Sequence, residues 1–198
     1  MGELPLFPLS AVLAPYGRMP LQIFEQRYLD LVRDSLRNES GFGVVWIRQG
    51  SEVAQRGRAS PELGDHGTVA SIVDWNQLQN GLLGITIAGV RRFDLYATET
   101  RADGLVVGHV EERAAPQAAR MQEEWLPLAE VLRTLERHPH AQRLGLRIDY
   151  NDAWQVAYAL VQLLPLEEAL RYQLLGIDAL EDLVARLSGV LNQLSGEQ

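Results

Sequence analysis

Hydrophobic positions along the chain fall into two textures that change near residue 115. Before it, apolar stretches are short and broken by glycine and proline. After it they are long and recur every three or four residues. The first texture predicts strands and the second helices, so a β-rich lobe over 1–114 is expected to precede a helical lobe over 115–198. In the first lobe Leu4–Phe7, Met19–Ile23, Phe42–Ile47, Thr68–Trp75, Leu82–Ala88, Arg92–Thr98 and Leu105–Val110 supply about six strands. One helix, Phe24–Leu36, carries Tyr28, Leu29, Val32 and Leu36 as its buried stripe. Asn80 and Gly81 predict a type I′ hairpin turn, in which both central residues need positive φ. The polar Gly50–Gly67 segment, with Gly57, Pro61 and Gly64, is expected to be a mobile loop. Short strands with tight turns favour a small, partly closed barrel.

Four amphipathic helices in the second lobe imply a small bundle. Gln117–Arg137 is the first, with Pro127 as a kink or restart. Asn151 and Asp152 cap a second, which runs to Leu164. Pro165 opens Leu166–Leu175, which Gly176 ends. Asp178 and Glu181 have the spacing of a capping box for Ala179–Leu194, whose apolar stripe is Leu180, Leu183, Val184, Leu187, Leu191 and Leu194.

Composition narrows the chemistry. At 198 residues and 46% hydrophobic content the chain can bury a sizeable core. No apolar run approaches the ~18 residues of a membrane span. The apolar start, Met1–Leu13, has no basic leader and is broken by Pro5 and Pro8, so it does not read as a signal peptide. With no cysteine there is no disulfide framework, no cysteine nucleophile and no thiolate zinc site, and the cytoplasm is the expected location. All 18 basic residues are arginine. A P-loop, a Ser-Lys dyad and a Schiff base each need a lysine, so none of these can be built from this chain alone. The net charge of −8 counts against nucleic acid as a partner. Arg56 and Arg58, or Arg91 and Arg92, are too few to track a phosphate backbone.

Other candidate chemistry is thin. His66, His109, His138 and His140 lack a clustered third ligand; His109 and Glu111 share a strand face but make only a pair. No metal and no cofactor are expected. No Gly-x-Ser-x-Gly elbow is present. The adjacent carboxylates Glu111-Glu112, Glu123-Glu124 and Glu167-Glu168 diverge and read as solvated charge. Glu25, Arg27 and Tyr28 could line a cleft; the structural reading is Glu25 at a helix N-terminus and Tyr28 in the core. Arg91 and Arg92 could hold a carboxylate, or pair with Glu25 or Asp94. Trp75 near a hairpin tip and Trp125 near the change of texture could anchor apolar segments, with core packing as the alternative.

Several segments in order carry a resemblance. Leu4-Pro-Leu-Phe-Pro-Leu9, then Val12-Leu13, Pro20-Leu-Gln-Ile-Phe-Glu25 and Arg27-Tyr28 resemble the opening of the Lon protease N-terminal domain family. Gly43-Val-Val, Gly50-Ser-Glu-Val53, Gly67-Thr68-Val-Ala and Gly89-Val-Arg-Arg-Phe93 follow the same pattern, as do Leu163-Leu-Pro-Leu166 and Leu174-Leu-Gly. Ala14 stands where that family usually has phenylalanine, and Tyr16 where glycine is common. The resemblance implies an α+β fold, with a PUA-like β-rich pseudo-barrel followed by a helical bundle. It also implies a non-catalytic role in binding unfolded or tagged polypeptides, or adaptors, for a protease or chaperone machine. The chain ends at Gln198, where full Lon proteases continue into ATPase and Ser-Lys peptidase parts, so a stand-alone recognition domain is expected. A PUA-like RNA-binding module is the alternative. The expected client site lies where the lobes meet, flanked by the Gly50–Gly67 segment, with Trp75, Trp125, Arg91, Arg92, Glu25 and Tyr28 as candidate contacts.

Overall fold

The computed structural model describes residues 1–52 and 61–196. Contacts divide the chain into two compact units, Met1–Ala115 and Pro116–Gln198. In the first, the described residues form six strands, β1 (Gly2–Leu9), β2 (Arg18–Ile23), β3 (Phe42–Gln49), β4 (Glu62–Gln77), β5 (Leu83–Thr100) and β6 (Val106–Glu112), with helix α1 (Gln26–Asn38) after β2. Their order is β2-β5-β4-β3-β1-β6, and β5 also pairs with β6. The ring β5-β4-β3-β1-β6 therefore closes on itself, and β2 lies outside it along the first half of β5. All pairings are antiparallel except β1 with β3.

The expected break between Ala88 and Arg92 is not a turn: one strand of 18 residues runs through it. Ala70 pairs with Gly89 and Val69 with Arg91, which leaves Val90 as a bulge. A second slip, between Ile72 and Asp74, leaves Val73 as a bulge in β4. Gly89 is needed at this place because a Cβ on it would stand 2.2 Å from the Ala14 carbonyl oxygen. The Val12–Gly17 stretch crosses here: Tyr16 N–H donates to Gly89 O at 2.9 Å, and Thr68 Oγ1 donates to Leu13 O at 2.6 Å. Tyr16 has φ 61, a left-handed backbone that a glycine would adopt with less strain. Ala14 is fully buried.

Three other local expectations need correcting. Glu62–Gly67 belongs to β4 rather than to a loop, and residues 53–60, with Arg56 and Arg58, lie outside the described residues. The β4–β5 turn is not type I′: Gly81 has φ 83 but Asn80 is not among the positive-φ residues. Gly81 N–H bonds Leu78 O and Leu78 N–H bonds Leu82 O, both at 2.9 Å, which encloses a three-residue loop. Helix α1 buries Tyr28, Leu31, Val32 and Ser35, the i, i+3, i+4, i+7 set, while Leu36 is 42% exposed.

The apolar interior of this unit has two parts. Phe7, Leu13, Ile23, Tyr28, Val32, Phe42, Ile85 and Ile87 belong to the larger cluster, under α1. Leu4, Leu6, Val45, Val69, Phe93 and Val110 fill the ring.

In the second unit, residues 117–122 are not helical. Arg120 bridges Asp152, and Ala153 N–H donates to Ala119 O at 2.8 Å. A short 3-10 turn, Glu123–Trp125, leads into α2 (Leu126–Glu136), so Pro127 opens a helix rather than kinking one. A short helix that periodicity did not predict, α3 (Pro139–Leu144), precedes α4 (Ala153–Leu163), α5 (Glu168–Leu175) and α6 (Leu180–Gly196). Asp152 caps α4 by accepting from Trp154 N–H and also from Ala119 N–H, both at 3.1 Å. Eight of the eleven residues of α4 are buried, as suits a helix that packs on α2, α5 and α6. Among the described residues no helix is long and apolar enough to cross a membrane.

Candidate functional site

The candidate residues of the first unit separate into two places. The first is a narrow groove of about 170 Å³ lined by Phe7, Leu9, Pro20, Leu21, Gln22, Phe24, Glu25, Tyr28 and Glu52. It forms because β2 ends at Ile23 and the chain turns into α1 at Gln26. Phe24 is left outside both elements and 57% exposed. Tyr28 is the floor. Its ring stacks on Phe7, with centroids 3.9 Å apart and planes 11° apart. The Arg27 guanidinium lies 4.4 Å from the Tyr28 centroid. Arg27 also holds Glu25 at 3.0 Å and donates to Gly104 O at 2.9 Å. Glu25 occupies the N-cap position of α1 but makes no side-chain cap bond; its carboxylate is spent on Arg27.

Burial pushes the Tyr28 hydroxyl up to about 12; Arg27 partly offsets this, and Glu25 and Glu52 add to it. The folded pKa lies above the unfolded value of about 10, so this contribution to stability is complete below pH 10 and is lost as pH rises towards 12. In urea melts across that window the wild type is expected to lose about 2 kcal/mol relative to Tyr28→Phe. Parallel curves for the two proteins would show that Tyr28 is not held in this environment.

Trp75 is not in the groove's lining but is linked through the sheet to Leu21, which is. Leu21 of β2 pairs with Ile85 of β5, and Ile85 pairs with Trp75 of β4. Paired residues share a face, so the three side chains form one row, with Leu21 and Trp75 about 10 Å apart at the backbone. Ile85 is buried, Leu21 is half-buried, and Trp75 is 61% exposed. This row and Phe24 make an apolar surface on the β2-β5-β4 arm. Leu21 and Phe24 were not among the expected site residues; the signal for Phe24 is a large aromatic between the end of β2 and the first turn of α1.

The second place is a more polar cleft of about 400 Å³ that holds Arg27, Asp30, Asp34, Arg91, Arg101, Asp103 and Glu112 in its lining. Arg91 does not reach Glu25 or Asp94: its Nε lies 2.5 Å from Glu112. Asp94 instead takes two bonds from Arg113, both 2.7 Å. Arg92 lies beside them on β5, opposite Thr68. Trp125, in the second unit, is only 8% exposed, so it is not the exposed aromatic expected; it lines a separate cleft with Met121, Glu123 and Leu180. Among the described residues no group of three or more potential ligands converges to hold a metal ion.

Comparison with known proteins gives this arrangement its class. The crystal structure of a Lon N-terminal domain protein from Xanthomonas campestris superposes with TM-score 0.76 over 96% of this chain and 98% of that one, at 33% identity. The N-terminal domain of Mycobacterium avium complex Lon protease shares the fold, with TM-score 0.60 over 94% and 96% of the two chains at 17% identity. The architecture is thus the α+β fold of Lon N-terminal domains. Residues 3–194 match the family described as ATP-dependent protease La (LON) substrate-binding domain, and the chain belongs to that family. A Lon protease of Anaeromyxobacter dehalogenans (strain 2CP-C) is 31% identical over 91 residues, which span 46% of this chain and 10% of that protease.

Proposed function

We propose that this chain is a non-catalytic recognition module for polypeptides, binding unfolded or tagged segments or the adaptors that carry them. The observation that carries the reading is the apolar surface of half-buried Leu21 and exposed Phe24 and Trp75 beside the Tyr28 groove, on a member of a substrate-binding family. In this reading the first unit is a PUA-like pseudo-barrel, the second a helical bundle, and the protein works in the cytoplasm beside a protease or chaperone machine. The groove falls below the ~300 Å³ at which small-molecule and cofactor pockets begin, and suits one apolar side chain of a client. Addition of a client strand to the β2 edge is the weaker route, because Pro20 in that strand has no N–H to donate.

Titration of the labelled chain with a permanently unfolded protein is expected to give roughly micromolar affinity, since ordering the client opposes the contacts. Phe24→Ala and Trp75→Ala should each weaken binding by about five- to thirtyfold, at unchanged thermal stability. Folded variants that bind like the parent would remove this surface from consideration. The purified chain should neither hydrolyse ATP nor degrade casein with ATP, because it offers no lysine for either chemistry. Activity that copurifies with the chain and survives a contamination control would overturn the non-catalytic part.

A further inference from the structure

We infer that the groove selects client segments in which a lysine or arginine lies within one or two residues of an apolar side chain. The inference rests on the polypeptide-binding reading above and deepens it. The groove carries two carboxylates at its rim, Glu25 and Glu52. Glu25 is neutralised by Arg27 at 3.0 Å. Glu52 is treated differently. Its Oε1 accepts from the Ser10 N–H at 2.5 Å and from the Ser10 hydroxyl, while Arg27 reaches only its backbone carbonyl, at 3.4 Å. Ser10 fixes the carboxylate in place, and no cation among the described residues pairs with it. A fixed, solvent-facing negative charge beside a slot for one apolar side chain complements a cation placed one or two residues from that side chain.

The rest of the chain works in the same direction. A net charge of −8 makes the long-range field attractive to basic segments and repulsive to acidic ones. The apolar partners in the slot, Phe7, Leu9, Leu21 and Phe24, carry no sign preference, so discrimination falls to Glu52. An exposed ion pair is worth little by itself. The comparison with a client of opposite sign, however, sets attraction against repulsion at one position.

The test uses the full chain and three fluorescein-labelled, unstructured peptides built on one Gly-Ser background. One carries Phe-Gly-Lys, the second Phe-Gly-Glu, and the third Ala-Gly-Lys. Anisotropy titration at about 0.15 M salt, which screens the long-range field but leaves a close ion pair, is expected to rank the first above the second by about fivefold. The third should bind more weakly than the first, because the slot is left empty. Glu52→Gln, which keeps an oxygen for Ser10, should bring the first two peptides to within about twofold of each other. Equal binding of the lysine and glutamate peptides, or a preference that persists in E52Q, overturns the inference while leaving a polypeptide-binding surface in place. If neither phenylalanine peptide binds better than the alanine one, the slot itself is not a client site, and the proposed function fails at this place.

Discussion

Replacing Gly67 with alanine is expected to cost at least about 3 kcal/mol, although the same exchange in an open strand would be harmless. Gly67 lies in β4 between Val45 of β3 and Phe93 of β5. A Cβ there would stand 2.3 Å from the Val44 carbonyl oxygen and 2.6 Å from the Phe93 ring. The oxygen belongs to backbone and cannot swing aside. Phe93 is fully buried, and the same end of its ring also packs on Gly43, where a Cβ would come within 2.9 Å of it. Buried among Leu4, Leu6, Val45, Val69 and Val110, the ring can move only by displacing packed side chains. Gly189 supplies the contrast: it lies inside α6, and an added Cβ would meet nothing within 4 Å. Gly189→Ala should stabilise the protein by about 0.5 to 1 kcal/mol through helix propensity. Urea midpoints of the two variants should move in opposite directions; a Gly67→Ala midpoint at or above the parent's would mean that β3, β4 and β5 do not meet this closely.

Loss of Arg171 is expected to be nearly as damaging in the second unit. Its Nε donates to Val161 O and its Nη2 to Leu164 O, both at 2.9 Å, and its Nη1 pairs with Glu168. These carbonyls end α4, where backbone acceptors have run out of helical donors. Hydrogen bonds from a charged group to such acceptors are worth about 1.5 to 3 kcal/mol each, so Arg171→Ala should cost about 3 kcal/mol. Arg171→Lys should recover less than half, because one ammonium cannot span two carbonyls and a carboxylate. The measurement is chemical denaturation of the three proteins; full recovery by lysine would show that charge, not the forked geometry, is what the site requires.

Much of the fold was legible because hydrophobic alternation and turn residues act locally. Every described strand contains a segment that patterning marked, and the Asp152 cap and the Gly176 stop follow from chemistry within a few residues. Three of the misreadings share one cause, which is partners distant in sequence. Gly89 looked like punctuation between strands, yet it is a close approach to Ala14. Gln117–Gln122 reads as good helix, yet its backbone pairs with residues 151–153. Arg91 and Asp94, close in sequence, take different partners, because β6 brings Glu112 to one while the residue after that strand, Arg113, goes to the other. At the site, Glu25 and Tyr28 were visible as a dense motif; Leu21 and Trp75 become neighbours only through the shared register of β5, which composition and spacing do not encode.

The two bulged valines behave like a pair of compensating frameshifts. Val90 adds one residue to β5 and Val73 adds one to β4, and both are exposed because neither has a place in the pairing. Beyond both, the strands return to the phase they had before either. A side chain's face depends on phase modulo two, so the arm presents Trp75 on the Ile85 face only because the slips cancel. Deleting either valine alone would rotate Trp75 out of the row with Leu21, whereas deleting both would restore the row on a straighter, less twisted ribbon. The composition of the arm's apolar surface is thus set by an even count of irregularities as much as by the residues that form it.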